Sequence, residues 1–492
     1  METSLFLFID ALRFSDHAQA PLTGEISAVK AVEQAAAVLN ESYQTRTFLL
    51  TCADDPGSLA AHSYFANAKK LELADRSQQS VVTAIAGQLE GADRHDTVML
   101  ILADAPFLLL AETEKLLAQH RRYYCHYSFA DGFPRFCTPE LVSVEAMPML
   151  LGTASAEEEF DVLFSIIQKD INAYDIETMI SPKDYRLERL ELRADNARNL
   201  LLCQRLAEGL DAFLPQTGQS LLSANELIRV LDAAPQAFRT LPASINWILH
   251  VKSSTPAIYY PEMPDYPVAD MKAMCEAVEK IVQWSGDCVV SLSHLGEPAE
   301  YPRIYELLDR LVQIDNVKVV IETQGFGWDM EKMQRLCLEK ADQISKIEWI
   351  VFIDANDERL YQEIRPGGSL PATLAAIDVL EGLFPKRVHV QAVRMDISED
   401  HLLDFYQAWK KKTDRIIIQK YNNYGGRLTD RRVSDTAPIV RNACWRLRRE
   451  LSILPDGTVP MCHVDIIEPA ALYGSILKDA ADTIWADLNR VY

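Results

Sequence analysis

Two cysteines near the carboxyl end of the chain have the residue type and the spacing to share a metal centre. Cys444 and Cys462 flank two apolar runs that are separated by Pro455-Asp456-Gly457, a sequence typical of a hairpin turn. The predicted hairpin presents both thiolates to one cluster or zinc ion. Two thiolates do not fill a four-ligand site, and His463 and Asp465 are close enough in sequence to add ligands. The alternative is that both cysteines are packed thiols.

A second group of polar residues follows the strands predicted in the second half of the chain. The carboxyl ends of parallel strands meet at one edge, so side chains placed there converge on a shared surface. This rim mixes acidic and basic groups, which indicates a polar ligand. Its members are Lys252, His294, Glu297, Glu322, Gln324, Asp354, Arg394, Lys420 and Asn422.

Alternating strands and helices position that rim. Short apolar runs are followed by stretches of helical periodicity at roughly even spacing. This alternation predicts an α/β fold. Residues 241–430 are expected to form a parallel sheet or partial (β/α)6 TIM-like barrel, and residues 431–492 a small region of a hairpin and a helix. The barrel strands are predicted at 245–251, 288–293, 317–322, 347–353, 388–394 and 415–419, and the helices at 270–284, 303–313, 330–339, 371–383 and 399–411.

The first 198 residues also alternate between strand and helix patterns. They predict a separate α/β/α sandwich with a mostly parallel sheet. Residues 199–240 have a helical pattern and are interpreted as a connector between the two α/β domains. In the sandwich, strands are predicted at 4–9, 47–51, 97–102 and 123–129, and helices at 26–39, 79–89 and 160–169.

Composition excludes several classes of partner. The 492 residues carry a formal net charge of −22, which disfavours nucleic acid and anionic membranes. No apolar run reaches membrane-spanning length, and the amino terminus lacks the pattern of a signal peptide. The nine cysteines are scattered, so we expect mostly buried thiols and a cytoplasmic protein. The expected partner is a small molecule or a peptide, with a second protein chain left open.

The second half of the chain resembles radical SAM enzymes that carry a SPASM domain. Gly296-Glu297-Pro298 follows the second strand, as the equivalent loop does in that family, and Glu322 opens a segment like the family's element after strand three. The resemblance implies that the loop contacts the amino group of S-adenosylmethionine (SAM), and we expect Glu297, Glu322 and Arg394 to bind ligand. Residues 444–485 resemble the opening half of a SPASM domain. This implies a 4Fe–4S cluster at Cys444 and Cys462.

The cysteines that cleave SAM in that family are missing here. A radical SAM core has three cysteines just after its first strand, and their thiolates hold three irons of a cluster. Residues 252–261 take that place without a cysteine, and the nearest, Cys275, falls on the next predicted helix. Hydroxyl and phenol oxygens are hard ligands that replace thiolates poorly. We therefore expect reductive SAM cleavage to be lost. The SPASM segment is also short, because no cysteine follows Cys462.

The first 198 residues resemble GT-A nucleotidyltransferases, notably the cytidylyltransferase-like group. The apolar strand that ends at Asp104 matches the family's metal-binding strand, and residues 21–25 match its segment before the first long helix. The resemblance implies that Asp104 coordinates a Mg²⁺ ion that bridges nucleotide phosphates. The loop at 10–20 departs from the pattern. It has no glycine and only one permanent cation, Arg13, whereas phosphate loops need backbone amides and cations.

The order of these parts resembles the spiro-SPASM family, a GT-A-like domain fused to a radical SAM-like barrel with a truncated SPASM region. Three functions follow as alternatives. The barrel binds a small molecule or peptide without redox chemistry, the chain is an iron–sulfur enzyme through Cys444 and Cys462, or the first domain is a divergent metal-dependent nucleotidyl- or glycosyltransferase through Asp104. No set of residues for nucleophilic catalysis is recognisable, so the catalytic residues are not predicted.

Overall fold

The computed structural model describes residues 3–210, 222–293, 295–435, 439, 443–490 and 492. The chain forms two compact units, Met1–Thr240 (unit 1) and Leu241–Tyr492 (unit 2). His294, which was predicted to lie on the rim, is outside the described residues, as are 211–221 of the predicted connector and parts of 436–442. No helix of the described residues is both long and apolar enough to cross a bilayer.

Unit 1 is a three-layer α/β sandwich around one seven-stranded sheet. The sheet order is β5-β4-β1-β6-β8-β7-β9, and β8 runs antiparallel to both of its neighbours. Its strands are β1 (Leu5–Asp10), β4 (Arg46–Cys52), β5 (Lys69–Leu73), β6 (Thr97–Leu102), β7 (Tyr127–Asp131), β8 (Glu140–Ser143) and β9 (Ile176–Ile180), with a separate ribbon of β2 (Pro21–Thr23) and β3 (Ile26–Ser27). The helices are α1 (Ala28–Tyr43), α2 (Pro56–Ala60), α3 (Gln78–Ala86), α4 (Leu110–Tyr123), α5 (Met147–Thr153), α6 (Phe164–Ile167), α7 (Ala197–Gly209) and α8 (Ala224–Ala233).

Alternation along the strands separates the two faces of this sheet. Successive side chains of a strand point to opposite faces. On β1, Phe6 and Phe8 therefore join the core beneath α3, α5 and α6, while Leu5 and Leu7 join the core beneath α1 and α4. The mostly parallel α/β sandwich predicted for this half is present.

The predicted connector packs into unit 1. Buried residues of α7 and α8, such as Leu206 and Leu227, share a core cluster with Tyr185 and Leu192 of the preceding loop. A capping box between Ser223 and Glu226 fixes the start of α8. Both helices are amphipathic, and an apolar helix face has to be covered by other apolar residues. Residues 199–210 and 222–240 are thus part of the first fold.

Unit 2 contains a seven-stranded parallel sheet in the order β15-β14-β13-β12-β11-β10-β16. Its strands are β10 (Ser244–Trp247), β11 (Cys288–Leu292), β12 (Val317–Thr323), β13 (Ile347–Phe352), β14 (Val388–Arg394), β15 (Ile416–Lys420) and β16 (Glu450–Ile453), followed by β17 (Thr458–Pro460) and β18 (Leu472–Ser475). The helices are α9 (Met271–Ser285), α10 (Ile304–Gln313), α11 (Met330–Glu339), α12 (Glu358–Ile364), α13 (Leu370–Leu383), α14 (Leu402–Lys410), α15 (Trp445–Arg449) and α16 (Ala481–Leu488).

The seventh strand corrects the predicted hairpin. The turn at Pro455–Gly457 forms, with Gly457 at a φ of +83°. The apolar run before it, however, becomes β16 and pairs in parallel with β10, so that Leu451 faces Ile245 across the ladder. The run after the turn becomes β17 and pairs with β18. Pairing with β10 buries Leu451 and Ile453 and covers an edge that the predicted six strands leave open.

Candidate functional site

The loop after β10 is held down by a buried polar network. The Tyr259 hydroxyl donates a hydrogen bond to Asp354 Oδ2 at 2.7 Å and accepts one from Arg365 Nη2 at 3.0 Å. Arg365 follows α12 and its side chain has no solvent exposure. Asp354 follows β13 with a φ of +59°, and its Oδ1 accepts the backbone N–H of Val393 at 3.2 Å. The network therefore joins the first loop of the barrel to the ends of β13 and β14.

Arg365 is the centre of this network. Its Nη1 donates to the carbonyl oxygen of Thr255 at 3.2 Å and to Gln324 Oε1 at 3.3 Å, and its guanidinium lies 5.4 Å from the ring centre of Tyr260. Arg365 Nη2 is 3.4 Å from Asp354 Oδ2. Burial raises the pKa of Asp354, and the positive charge of Arg365 opposes that shift. A guanidinium buried this deeply needs both a countercharge and acceptors. Asp354 supplies the charge and both Nη atoms have acceptors, whereas Arg365 Nε is buried without a hydrogen-bond partner among the described residues.

The donors of this loop do not fit an iron–sulfur cluster. Residues 252–261, all of which the structure describes, offer hydroxyl and phenol oxygens and no thiolate. Thr255 and Tyr259 are already engaged, because Thr255 Oγ1 donates to Gln324 Oε1 at 2.6 Å. The backbone is fixed as well, since the N–H of Ile258 donates to the carbonyl of Ile364 at 2.9 Å. The loop is built as a packed element of the fold.

Gly296-Glu297-Pro298, predicted to contact SAM, braces the neighbouring loop. A methyl group on Gly296 would lie 1.9 Å from the carbonyl oxygen of His250, so this close approach requires glycine. The Glu297 carboxylate accepts Thr323 Oγ1 at 2.5 Å, the Gln324 N–H at 2.9 Å and the Ala299 N–H at 3.1 Å. Burial raises the pKa of Glu297 to about 7 in spite of these donors. Its carboxylate thus ties the β11 loop to the end of β12.

A polar cavity of about 170 Å³ opens at the carboxyl edge of the sheet. The cavity is lined by residues of β15 and of β16, which are the two opposite edge strands of the sheet. The sheet therefore curls around the cavity. On β12, Glu322 projects into the cavity and its Oε1 accepts the Ser291 hydroxyl at 3.1 Å. Tyr259 of the buried network also forms part of the wall. The polar lining consists of Ser244, Asn246, Tyr259, Ser291, Ser293, Glu322, Gln419, Lys420, Asn422, Tyr424, Arg446, Glu450 and His463.

One side of the cavity is a triad that the sequence alone did not reveal. Glu450, the first residue of β16, lies 2.9 Å from Arg446 Nη1 and 3.3 Å from His463 Nδ1. Burial opposes ionisation of Glu450, but His463 and Arg446 hold its pKa below the usual value. The apolar run after Glu450 was the available signal, because recognising it as a strand of the sheet would have placed Glu450 at the cavity. The run was assigned to a hairpin instead.

The remaining rim residues divide between the cavity and its surroundings. Lys420 and Asn422, predicted from the end of the last barrel strand, line the cavity together with Glu322. Arg394 does not line it. Its Nε and Nη2 donate to the two carboxylate oxygens of Glu399 at 2.7 and 2.6 Å. Arg394 borders a neighbouring surface depression, which Lys420 also lines. Of the five residues predicted to bind a cofactor, Glu322 is the one on the cavity wall.

The two carboxyl-terminal cysteines lie apart from any complete ligand set. Cys444 is exposed at the start of α15, and Cys462 is half-buried after β17. Burial raises the pKa of Cys462, and the charge of Cys444 raises it further. His463 faces Glu450, and the Asp465 carboxylate accepts the Ala470 N–H at 3.2 Å. In the described parts of the chain, no three Cys, His, Asp or Glu side chains are arranged to hold a metal ion. The donors present do not fit a four-ligand cluster.

Asp104 of unit 1, predicted to bind Mg²⁺, is paired with an arginine. Its Oδ2 accepts Arg193 Nη2 at 2.8 Å and Nε at 3.2 Å, and the side chain is 2% exposed. Burial raises the pKa of Asp104 to about 6, against the opposing charge of Arg193. The protein's own cation therefore already pairs with one of the two carboxylate oxygens of Asp104.

Comparison with known proteins places the chain in a family. No protein-family model matches it. An uncharacterized protein of Treponema pallidum (strain Nichols) is 30% identical over 346 residues, which cover 67% of this chain and 92% of that protein. The chain belongs to the same family as this protein. A second uncharacterized protein from the same organism is 34% identical over 71 residues, covering 14% of this chain and 31% of that protein.

Several solved structures are similar at low identity. Streptococcus suis SuiB bound to its precursor peptide SuiA has a TM-score of 0.41 and 12% identity, covering 66% of this chain and 77% of SuiB. SuiB bound to SAM has a TM-score of 0.42 at the same identity and coverage. A cytidylyltransferase of Leptospira borgpetersenii has a TM-score of 0.36 and 10% identity, covering 48% of this chain and 96% of that enzyme. At these scores the resemblances by themselves determine neither fold nor function.

Proposed function

We propose that unit 2 is a radical SAM-like barrel that has lost cluster chemistry and binds an amino-acid-sized zwitterion in the cavity beside Glu322. The observation that carries this proposal is the cavity itself, which offers acidic and basic groups at the carboxyl edge of a parallel sheet. Tyr259 contributes to both the cavity wall and the buried network. The loop that would hold a cluster in the resembling enzymes thus shapes a binding site here.

The size of the cavity limits its ligand. Pockets that enclose drug-sized molecules have volumes of roughly 300–1,000 Å³. A volume of about 170 Å³ matches a single amino acid better than it matches SAM. On one side the wall is formed by Tyr259 and Phe352, whose side chains are buried. SAM would require these walls to move.

The charges of the cavity define the ligand class. Glu322 presents a carboxylate from β12, which suits an ammonium group. Lys420 presents an ammonium from β15, and among the described residues its side chain has no hydrogen-bond or ion-pair partner. Arg446 adds a second cation, compensated by Glu450 at 2.9 Å. A ligand with an amino group and a carboxylate matches the charges of Glu322 and Lys420, and an α-amino acid or a peptide end has both groups.

We also propose the finer domain assignment. The order of a mixed α/β sandwich before a curled parallel sheet supports a GT-A-like unit 1 and a radical SAM-like unit 2, as in the spiro-SPASM family. The donor sets described above favour the binding function over the two enzymatic alternatives. An iron–sulfur enzyme would need more than Cys444 and Cys462, and a metal-dependent transferase would need Asp104 to be available to its metal.

A ligand screen tests this function. The full chain is titrated with the standard amino acids, short peptides, SAM and S-adenosylhomocysteine while thermal midpoints are recorded. We expect at least one free amino acid or peptide to raise the midpoint of wild type and of Lys318→Ala, which removes an exposed lysine elsewhere on β12. The same ligand should leave Glu322→Gln unchanged. Stabilisation by SAM alone, or a ligand effect that persists in Glu322→Gln, would refute the assignment.

A further inference from the structure

Two aspartates pair with one arginine at the carboxyl edge of the unit 1 sheet, and a third ends the neighbouring strand. Asp10 ends β1 and Asp104 follows β6, and these strands are parallel neighbours in the sheet. Arg193 and Asp195 lie on a later segment. That segment is held against the sheet by a hydrogen bond of 2.8 Å from the Ala194 N–H to the Asp104 carbonyl oxygen. This backbone hydrogen bond therefore fixes Arg193 next to Asp104.

The guanidinium of Arg193 is fixed on several sides. It donates twice to Asp104 Oδ2, and its Nε lies 3.5 Å from Asp195 Oδ2. The ring centre of Phe136 lies 5.3 Å from the guanidinium carbon. Asp10 lies on the neighbouring strand, where its carbonyl oxygen accepts the N–H of Ala103 at 2.8 Å, one residue before Asp104. Only 8% of Arg193 is exposed, so the cation is largely withdrawn from water.

One oxygen in this cluster has been left without a partner. Among the residues that the structure describes, Asp104 Oδ1 is buried and has no hydrogen-bond partner. Buried carboxylate oxygens are normally satisfied, because an unsatisfied one is costly. Carboxylate oxygens are also the ligands that Mg²⁺ and Mn²⁺ prefer. The carboxylates of Asp104 and Asp195 are thus the kind of ligand that binds a divalent metal ion, and the guanidinium of Arg193 lies against both.

We infer that Arg193 is a built-in cation that occupies the place a divalent metal ion would need between Asp104 and Asp195. Unit 1 therefore neither requires nor binds Mg²⁺ at Asp104, in contrast to the expectation from the nucleotidyltransferase resemblance. A fixed guanidinium neutralises the aspartates permanently, whereas a metal ion exchanges with solvent. Removal of the guanidinium leaves Asp104 and Asp195 without a countercharge, and we expect a divalent cation to be drawn into the space that the guanidinium leaves.

Mn²⁺ binding to the full chain tests this inference, because free Mn²⁺ gives an EPR signal that disappears when the ion is bound. Wild type should bind no Mn²⁺ that depends on Asp104. Arg193→Ala should gain one equivalent that wild type lacks, with an affinity at least about tenfold above that of any Mn²⁺ binding elsewhere on the wild-type chain. Arg193→Lys keeps a cation in place and should behave as wild type. Arg193→Ala combined with Asp104→Asn should lose the gained site.

A second charge-removing variant keeps the test decisive if Arg193→Ala does not fold. Arg193→Gln retains polar contacts beside Phe136 while it removes the charge, and it should also gain Mn²⁺ binding. A charge-removing variant that folds only in the presence of Mn²⁺ supports the inference equally. Wild-type binding of Mn²⁺ that Asp104→Asn abolishes would overturn it. Folded Arg193→Ala or Arg193→Gln with no gain over wild type would overturn it as well.

Discussion

The hydroxyl of Tyr259 lies 2.7 Å from Asp354 Oδ2, and this hydrogen bond connects the loop after β10 to the end of β13. The two residues are 95 positions apart in the chain. The same hydroxyl also accepts a hydrogen bond from Arg365 Nη2 at 3.0 Å, so the loop contacts a buried carboxylate and a buried arginine directly. Ala257 and Tyr259 of this loop belong to the apolar core of unit 2.

Replacement of Arg365 should be among the most destabilising single changes in unit 2. Arg365→Met leaves Asp354 buried without its countercharge, and the loss of one partner of a buried pair costs about 3–5 kcal/mol. All seven tryptophans lie in unit 2, so urea unfolding followed by tryptophan fluorescence reports on this unit. Arg303→Ala removes an arginine that is paired with Glu306 but 47% exposed, and it serves as the matched control. Equal losses in both variants would contradict a special role for Arg365.

Tyr259→Phe isolates the hydroxyl from the packing of the ring. The variant removes the donor to Asp354 and the acceptor for Arg365, while the ring still contacts Phe352. We expect the free energy of unfolding to fall by about 1–3 kcal/mol, because a buried polar partner is left unsatisfied. The same fluorescence measurement applies. Tyr406→Phe, at an exposed tyrosine of α14, should change stability by no more than about 0.5 kcal/mol.

The stability of unit 2 should depend on the protonation of Glu297. Its pKa rises from the usual 4.5 to about 7 in the folded protein. The folded state therefore binds the proton more tightly, so its contribution is complete below pH 4.5 and is lost as the pH rises through about 7. The difference between these two pKa values corresponds to about 3 kcal/mol of folding free energy. Glu297→Gln cannot titrate, and its curve between these pH values should be flatter than that of wild type. Parallel curves for the two proteins would show that Glu297 titrates normally.

The amino group and the carboxylate of the proposed ligand should bind different residues of the cavity, Glu322 and Lys420. Glu322→Gln should weaken binding of the amino acid by about tenfold to a hundredfold, and so should Lys420→Ala, since each loses a charge-assisted contact. Isothermal titration with analogues separates the roles. An analogue without the amino group should bind wild type and Glu322→Gln equally, and one without the carboxylate should bind wild type and Lys420→Ala equally. Identical losses for both analogues in both variants would argue against this orientation.

The sequence predicted local periodicity well and long-range pairing poorly. The bounds of α11 and β14 coincide with those predicted, because both elements have clear apolar patterns. Glu450–Ile453 was assigned to a hairpin, since a short apolar run before a turn carries no local sign of its parallel partner, β10, about 200 residues upstream. The polar contacts of the sites could not be predicted either, because their partners are also far apart in the sequence. Nothing near Asp104 in sequence indicates that Arg193, 89 positions later, occupies its carboxylate.

Anaerobic reconstitution with iron and sulfide tests the central claim most directly. The full chain is reconstituted, its iron and sulfide are counted, its visible and EPR spectra are recorded, and it is then reduced in the presence of SAM. The packed loop around Tyr259, Asp354 and Arg365 predicts a colourless protein with no stoichiometric iron and no release of 5′-deoxyadenosine. A brown protein with an EPR-active cluster that cleaves SAM on reduction would contradict the account.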